Sequence, residues 1–328
     1  MNLKNMSKKT QILGIIGIIA VLLLPVLLTV IGQNYFVLII CFMAIYFVAV
    51  SGLDIVFGYS GQISLGHAAY FAIGAYGSVM MHKFWGIPVV FTMIIASVIA
   101  TLIGIIIAYP ATKLVFHFLS LSTIAFGEIV YQLIAQSPGG ITGNFTGFFT
   151  EAINIFGFKF DSYTKFYYFA AVVVAIFLIL KQNLVNSKTG RALIAIRENS
   201  HAADGMGINV RKYKVIAFAM SAFYTAYAGS MYAHLVMFIS PDTFAYKQSV
   251  MFLTMLLFGG TSSILGPIIG VVSVTLLNEG LRSAQQYQVL IYGVLLLIVI
   301  LAMPGGIYGT IKSFIEKRKG VKKNAIEN

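Results

Sequence analysis

The chain has 328 residues, of which 59% are hydrophobic and 10% are charged, and its mean hydropathy is +0.90. Every soluble domain of this length leaves a large wet exterior, so the composition excludes an ordinary soluble fold and indicates that lipid surrounds the chain. The net charge of +12 does not indicate nucleic acid, because the basic residues cluster between and beyond apolar runs and form no single surface with stacking aromatic residues.

Ten apolar stretches are candidates for membrane spans, which need about 20 residues each to cross the hydrocarbon. They cover residues 11–32, 35–57, 62–81, 87–109, 114–136, 166–181, 215–238, 248–260, 264–281 and 287–304. The first follows three lysines and is longer than the apolar part of a typical signal peptide, so we interpret it as a retained span. The sequence therefore predicts an all-α polytopic membrane protein with about ten transmembrane helices.

The connecting segments predict the orientation, because cytoplasmic segments carry more Lys and Arg than outer ones. Residues 181–214 include seven basic and two acidic residues, whereas residues 137–165 include two of each. The first segment is therefore predicted to be cytoplasmic and the second to lie outside. Both termini are basic and predicted to be cytoplasmic, which ten spans satisfy. We expect a transmembrane domain over residues 1–310 and a basic cytoplasmic tail over residues 311–328.

Two apolar stretches are interrupted by glycine and polar residues, at residues 58–62 and 259–263. Backbone groups freed by such breaks are tolerated at membrane depth only inside protein or beside a water-filled cavity, and broken helices often mark a translocation path. Nearby glycines have another interpretation, which is that small residues let helices pack closely; these are Gly66, Gly74 and Gly77. The polar residues expected to line a path are Ser60, Gln62, Ser64, His67, Glu128, Thr261 and Ser262.

Four ionisable residues lie in or near the apolar stretches: Asp54, Glu128, Glu279 and Arg282. A charge at the bilayer centre costs at least about 2.5 kcal/mol, so such residues are functional candidates unless they pair or lie at the end of a span. Glu279 and Arg282 have the i,i+3 spacing of an ion pair on one helix face. For Glu128, a structural role and a role in the path both stay open.

Residues 187–211 form the longest polar segment between two stretches on the predicted cytoplasmic side. Ser187 or Thr189 can cap a short helix there, and Gly205 or Gly207 can end it. Apolar side chains would follow one face of this helix; they are Ala192, Leu193, Ala195 and Ile196. Taken alone, the pattern predicts an interfacial helix that lies on the membrane or docks into a partner.

This segment resembles the coupling motif of ABC importer permeases, in which a Glu-Ala-Ala triplet is followed by a glycine. The chain has His201-Ala202-Ala203 with Gly207 at the matching distance, and His201 departs from the Glu of the motif. The run from Gly190 to Ile208 is similar to the LivM-type permeases of branched-chain amino acid import. Other stretches resemble the same family in the same order, namely residues 58–76, residues 126–130 with 142–143, and residues 265–267 with 292–306.

The resemblance implies a permease subunit, without catalytic activity, in the bacterial plasma membrane. Such a subunit forms the path for branched-chain or related small amino acids. It pairs with a second permease of the LivH type, two cytoplasmic ATPase subunits and an extracytoplasmic solute-binding protein. The chain contains no Gly-x-x-x-x-Gly-Lys-Ser/Thr loop, so we expect the partner subunits to bind ATP and this chain to need no cofactor. The residues expected to couple it to the ATPases are Gly190, Arg191, Arg197, Glu198, His201, Ala202, Ala203 and Gly207.

Other functions remain open at this point. Permeases for urea, amides or aromatic acids are similar in sequence. An ion-coupled secondary transporter also uses broken helices, but it predicts transport without ATPase partners. A membrane-embedded enzyme would need a convergent set of catalytic groups, which the sequence does not suggest. The five histidines lack ligand spacing and Cys41 is the single cysteine, so neither a metal site nor an internal disulfide is predicted.

Overall fold

Apolar runs long enough to cross a bilayer form the helices of the computed structural model, which describes residues 23–112, 116–155, 157–281, 287–302, 305–311 and 313. The helices are α1 (Asn34–Asp54), α2 (His67–Trp85), α3 (Val89–Ala111), α4 (Phe116–Gln136), α5 (Tyr163–Asn186), α6 (Lys188–Glu198), α7 (Ser200–Gly205), α8 (Val210–Val236), α9 (Tyr246–Gly259), α10 (Leu265–Gly280) and α11 (Gln288–Ala302). Helix α1 continues into a π-helical turn over Ile55–Tyr59. Residues 23–30 and 306–311 are also helical.

The remaining regular structure is short. Single 3-10 turns cover Pro138–Gly140, Asn144–Thr146 and Pro241–Phe244. The strands are β1 (Phe148–Phe149), β2 (Asn154–Ile155), β3 (Phe158–Lys159) and β4 (Phe238–Ile239). Strand β1 pairs antiparallel with β4, and β2 pairs antiparallel with β3. The all-α prediction is confirmed for the membrane-spanning part of the fold, but it omitted these two small ribbons.

The helices follow the predicted apolar stretches from the second to the tenth. The helix of the third stretch, α2, starts later than predicted, at His67, because residues 61–66 form no regular structure. The helix of the sixth stretch, α5, is longer than predicted and covers Tyr163–Asn186. Most of the first stretch and of the basic tail lies outside the described residues. By length and composition, four helical stretches of the described chain are able to cross a membrane on their own. They are Asn34–Tyr59, Val89–Ala111, Phe118–Gln136 and Tyr163–Asn186.

Contacts between helix ends divide the molecule into two sides. On one, which we call the strand side, β1 pairs with β4, His234 at the end of α8 approaches the Glu151 carbonyl at 2.7 Å, and Tyr35 donates to Glu279. The other, the short-helix side, carries α6 and α7, and there Arg211 stacks 3.6 Å above the Tyr109 ring. Consecutive long helices run between the two sides in alternating directions.

Helix α8 lies at the centre and packs against α1, α2 and α3. Two glycines allow α2 and α8 to approach closely. A Cβ on Gly74 would lie 1.8 Å from the Ala226 carbonyl oxygen, and a Cβ on Gly229 would lie 1.9 Å from the Phe71 carbonyl oxygen. Any side chain at either position would separate α2 from α8. The interpretation of Gly74 as a packing glycine is confirmed. Gly66 has the same role against Thr123, and Gly77 makes a looser contact with Ala96.

Candidate functional site

The first predicted break is present, and its freed backbone groups find partners within the chain. The α1 helix continues into the π turn, Gly61 adopts a φ of +69°, and residues 61–66 form no regular structure before α2 begins at His67. Ser60 donates from Oγ to the Val56 carbonyl at 2.7 Å, and Gln62 donates from Nε2 to Ser60 Oγ at 2.7 Å. The backbone nitrogens of Gly61 and Gln62 donate to carbonyls of the preceding turn at 3.2 and 3.0 Å, so the chain itself satisfies these two groups.

The predicted path residues of this break are buried inside the chain itself. Ser60, Gln62, Ser64 and His67 each expose 3% of their surface or less. The His67 ring lies 3.0 Å from Ser64 Oγ through Nδ1 and 2.6 Å from Ser221 Oγ through Nε2. These contacts hold the start of α2 against α8. Among these four residues, Gln62 has one buried atom, Oε1, to which the structure gives no hydrogen-bond partner.

The second predicted break contacts the first. Helix α9 ends at Gly259, Gly260 has a φ of +111°, and Ser262 has a φ of +57° before α10 begins at Leu265. Thr261 and Ser262 are both partly exposed. Ser262 donates from Oγ to the Gly58 carbonyl at 2.6 Å. Thr261 therefore lies beside the junction of the two breaks and Ser262 lies in it.

A glycine is required at the point where the breaks meet. A Cβ on Gly58 would lie 1.9 Å from Asp54 Oδ1 and 2.7 Å from the Ser262 backbone nitrogen. Any larger residue would push the second break away from the end of α1. The two interruptions that the sequence shows 200 residues apart thus form one structural feature.

An ion pair that the sequence analysis missed lies beneath this junction. Lys181 donates from Nζ to Asp54 Oδ2 at 2.8 Å, both side chains are almost completely buried, and Asp54 Oδ1 accepts from the Ser262 backbone at 2.8 Å. Lys181, which the sequence analysis counted with the basic connecting segment, is therefore a buried residue of α5. Its position at the end of an apolar stretch was the available signal, because a charge there needs a partner and Asp54 needs one too. Arg282, the predicted partner of Glu279, lies outside the described residues.

The predicted interfacial helix over residues 187–211 is two helices. Ser187 caps α6 by accepting from the Thr189 and Gly190 nitrogens, as predicted. Helix α6 ends at Glu198, because Asn199 has an extended backbone and caps α7 through its side chain. The prediction that Gly205 or Gly207 ends a single helix was wrong in this respect, since Gly207 closes only α7. Three of the four apolar residues are buried against the chain, namely Ala192, Leu193 and Ile196, while Ala195 is partly exposed.

The residues predicted to couple to the ATPases divide into two groups. The inward group holds the short helices to the bundle and comprises Gly190, Arg191, Arg197 and Ala203. Gly190 packs against the Val185 carbonyl, and Arg191 donates to the Asn186 carbonyl at 3.2 Å. Arg197 contacts both breaks, and Ala203 is buried. The outward group is exposed and comprises Glu198, His201, Ala202 and Gly207. Beside Gly207, Met206 exposes 84% of its surface, a large apolar residue that the sequence analysis did not single out.

Helix α4 carries a polar stripe on an exposed face. Glu128, Gln132 and Gln136 are exposed and follow one another at i,i+4 spacing. Gln132 donates from Nε2 to Glu128 Oε1 at 2.7 Å, and Gln136 donates to Gln132 at 3.5 Å. We call these three residues the α4 stripe. Among the predicted path residues, Glu128 is therefore on the outside of the chain, away from the buried residues of the breaks.

The comparisons with known proteins agree with this architecture. Residues 34–303 match the sequence profile of a family described as branched-chain amino acid transport system / permease component. The chain belongs to this family. The resemblance to LivM-type permeases is confirmed, and the chain is a permease component of an ABC importer and an integral membrane protein.

Several curated proteins are similar to the chain. The high-affinity branched-chain amino acid transport system permease protein LivM of Escherichia coli is 27% identical over 85% of this chain and 71% of its own length. The probable branched-chain amino acid transport permease protein LivM of Methanocaldococcus jannaschii is 23% identical over 82% of this chain and 92% of its own length. The ribose import permease protein RbsC of Bacillus subtilis is 30% identical over 40% of this chain and 44% of its own length. No solved structure matches the chain.

Proposed function

We propose that this permease component imports branched-chain or related small amino acids across the bacterial plasma membrane, powered by ATPase subunits on its short-helix side. The observation that carries the proposal is the family match, which extends over residues 34–303 and so includes both breaks, α6, α7 and the α4 stripe. Similarity to relatives named for amino acids covers more than four fifths of the chain, whereas similarity to the ribose permease covers 40%. That difference favours an amino acid over a sugar as the substrate.

The α4 stripe supports a second permease as a partner and a path between the two. A carboxylate on a lipid-facing surface of a span costs at least about 2.5 kcal/mol, so protein or water has to cover Glu128 in the membrane. A sister permease of the LivH type would cover this face. The carboxylate of Glu128 would then offer the ammonium group of an amino acid a charge partner within the path. In this arrangement the buried residues of the breaks, such as Ser60 and His67, support the path from inside this chain.

The exposed surface of α7 supports the docking of an ATPase. His201, Ala202 and Met206 face solvent beside an open cavity of about 570 Å³ between α7 and the start of α8, lined by Asp204 and Arg211 among others. Solvent-exposed Met residues adapt to partner surfaces. The short-helix side is then cytoplasmic, and the chain has ten spans with both termini inside. The ATPase pair binds and hydrolyses ATP, and an extracytoplasmic binding protein delivers the substrate to the strand side.

Pull-down of the tagged chain from mild detergent, combined with uptake of labelled leucine, tests this function. We expect a second permease and ATPase subunits to co-purify, and a strain lacking the chain to lose leucine uptake that the chain restores. Valine and isoleucine should compete with leucine, and urea, phenylalanine and ribose should not. Competition by urea, phenylalanine or ribose in place of valine and isoleucine would identify that solute class as the substrate. A chain that purifies without ATPases and moves solute in liposomes under an ion gradient would be a secondary transporter.

A further inference from the structure

One guanidinium group connects three segments that are distant in sequence. Arg197, in the last turn of α6, donates from Nη1 to the Gly58 carbonyl at 2.6 Å and also contacts Ser262 Oγ. Ser262 Oγ itself donates to the same Gly58 carbonyl. A Cβ on Gly61 would lie 3.1 Å from Arg197 Cγ, so the stem of the arginine packs directly on the first break. We call this set the Arg197 clasp: Arg197, Gly58, Gly61 and Ser262.

A buried ion pair holds one side of the Arg197 clasp, and hydrogen bonds that water can replace hold the other side. On the fixed side, the buried pair of Asp54 and Lys181 holds the second break, since Asp54 accepts from the Ser262 backbone and Lys181 lies 3.4 Å from the Ser263 carbonyl. Breaking that pair would leave a charge in a dry interior. On the other side, Arg197 is an exposed residue whose hydrogen bonds water can replace. A force on α6 would therefore release or pull the guanidinium before it disturbs the ion pair.

We propose that Arg197 is a positioning residue that transmits the movement of α6 and α7 to both helix breaks at once, and that it does not dock the ATPase. This inference rests on the proposed function. Leu193 and Ile196 are buried, so α6 moves together with the wall it packs on, and its last turn lies over the junction of the breaks. Because one side chain is bonded to both breaks, a displacement of α6 acts on both of them together. The outward group on α7 remains available for the ATPase contact.

Replacement of Arg197 tests the inference against a matched control on the same helix. Arg197→Gln removes the guanidinium group, whereas Lys188→Gln removes an exposed positive charge from the first residue of the same helix, at a position with no proposed role in coupling. The purified complex is reconstituted in liposomes, and the amount of co-purified ATPase, the ATP hydrolysis rate and the leucine uptake are measured for each variant. For Arg197→Gln we expect a normal amount of ATPase, continued ATP hydrolysis, and at least a tenfold fall in leucine moved per ATP hydrolysed. For Lys188→Gln we expect a ratio within twofold of the original.

Further variants separate transmission from a loss of folding. Ser262→Ala removes the hydroxyl that Arg197 contacts and should lower the same ratio by a smaller factor. Arg197→Lys keeps the charge without the guanidinium group and should restore part of the ratio. A fall in co-purified ATPase that parallels the fall in uptake would make Arg197 a docking residue and overturn the inference, as would an unchanged ratio in Arg197→Gln. If no ATPase co-purifies with the unaltered chain, the proposed function is contradicted, and the inference that rests on it is contradicted as well.

Discussion

At the residue scale, the buried charges follow from the cost of an unpaired ion in a membrane protein. Asp54 and Lys181 come from α1 and α5, and they meet at 2.8 Å where neither side chain reaches solvent. Such a pair is weak evidence for stability, because desolvation offsets the attraction, but removal of one partner alone leaves a bare charge. The main structural role of the pair is to fix the position of the second break. The sequence places both charges near the ends of apolar stretches, but only the structure shows that they meet and that they hold the second break.

Asp54 and Lys181 are expected to stabilise the fold only as a pair. Asp54→Asn and Lys181→Met should each cost about 3–5 kcal/mol of unfolding free energy, because each leaves the other charge buried. The double variant should lose clearly less than the sum, since no charge remains and the asparagine oxygen still accepts from Ser262. Thermal unfolding in detergent is followed with a thiol-reactive dye, for which the buried Cys41 is the only target. Lys188→Met, on an exposed lysine, is the control; additive losses in the double variant would contradict the pairing.

At the element scale, local capping decides where α6 and α7 begin and end. Ser187 was recognisable in the sequence as a cap, and the breaks were recognisable from glycine beside polar residues. The cap at Asn199 was not recognisable, because apolar residues continue at helical spacing beyond it. The local sequence therefore fits one continuous helix as well as two short ones. The contact between the breaks was also unpredictable, since it depends on the fit of Gly58 against Ser262 across the bundle. Sequence patterns therefore locate the interruptions, and tertiary packing decides what they touch.

The end of α7 offers a test of docking that is separate from the clasp. The Gly207 nitrogen donates to the Asp204 carbonyl and the Ile208 nitrogen to the Ala203 carbonyl, the pattern of a Schellman motif with Gly207 at a φ of +82°. Space around the Gly207 Cα is open within this chain. Asparagine tolerates this φ, so Gly207→Asn should lower the free energy of unfolding by about 1 kcal/mol or less and leave leucine uptake near normal. Gly207→Trp should insert normally but abolish leucine uptake, because its ring would occupy the space of the ATPase.

The amount of co-purified ATPase distinguishes the two variants of Gly207. Since the exposed face of α7 is the proposed docking surface, we expect less ATPase with Gly207→Trp and a normal amount with Gly207→Asn. Full uptake by Gly207→Trp would show that α7 does not meet the ATPase. Equal losses in both variants would instead point to backbone strain as the cause.

At the scale of the whole molecule, the long helices of the described chain alternate in direction between the strand side and the short-helix side. Helix ends in contact place the starts of α1, α3, α5 and α9 on the strand side and those of α2, α4, α8 and α10 on the short-helix side. The apolar stretches could be predicted from length alone, which is a local property. The central position of α8 could not, because it depends on close contacts such as Gly74 with Ala226. Most of the stretch over 11–32 lies outside the described residues, so the count of ten spans stays a prediction.

The orientation of this bundle can be measured with single cysteines, because Cys41 is buried and gives the unaltered chain no accessible thiol. Glu151 on the strand side exposes 78% of its side chain, and Lys188 at the start of α6 is exposed on the short-helix side. A membrane-impermeant maleimide added to intact spheroplasts should label Glu151→Cys within minutes and label Lys188→Cys only after permeabilisation. The physical reason is the excess of basic residues on the short-helix side, which resists translocation. The opposite labelling pattern would place α6 and α7 outside, where no ATPase can reach them, and would remove the basis for coupling through this side of the molecule.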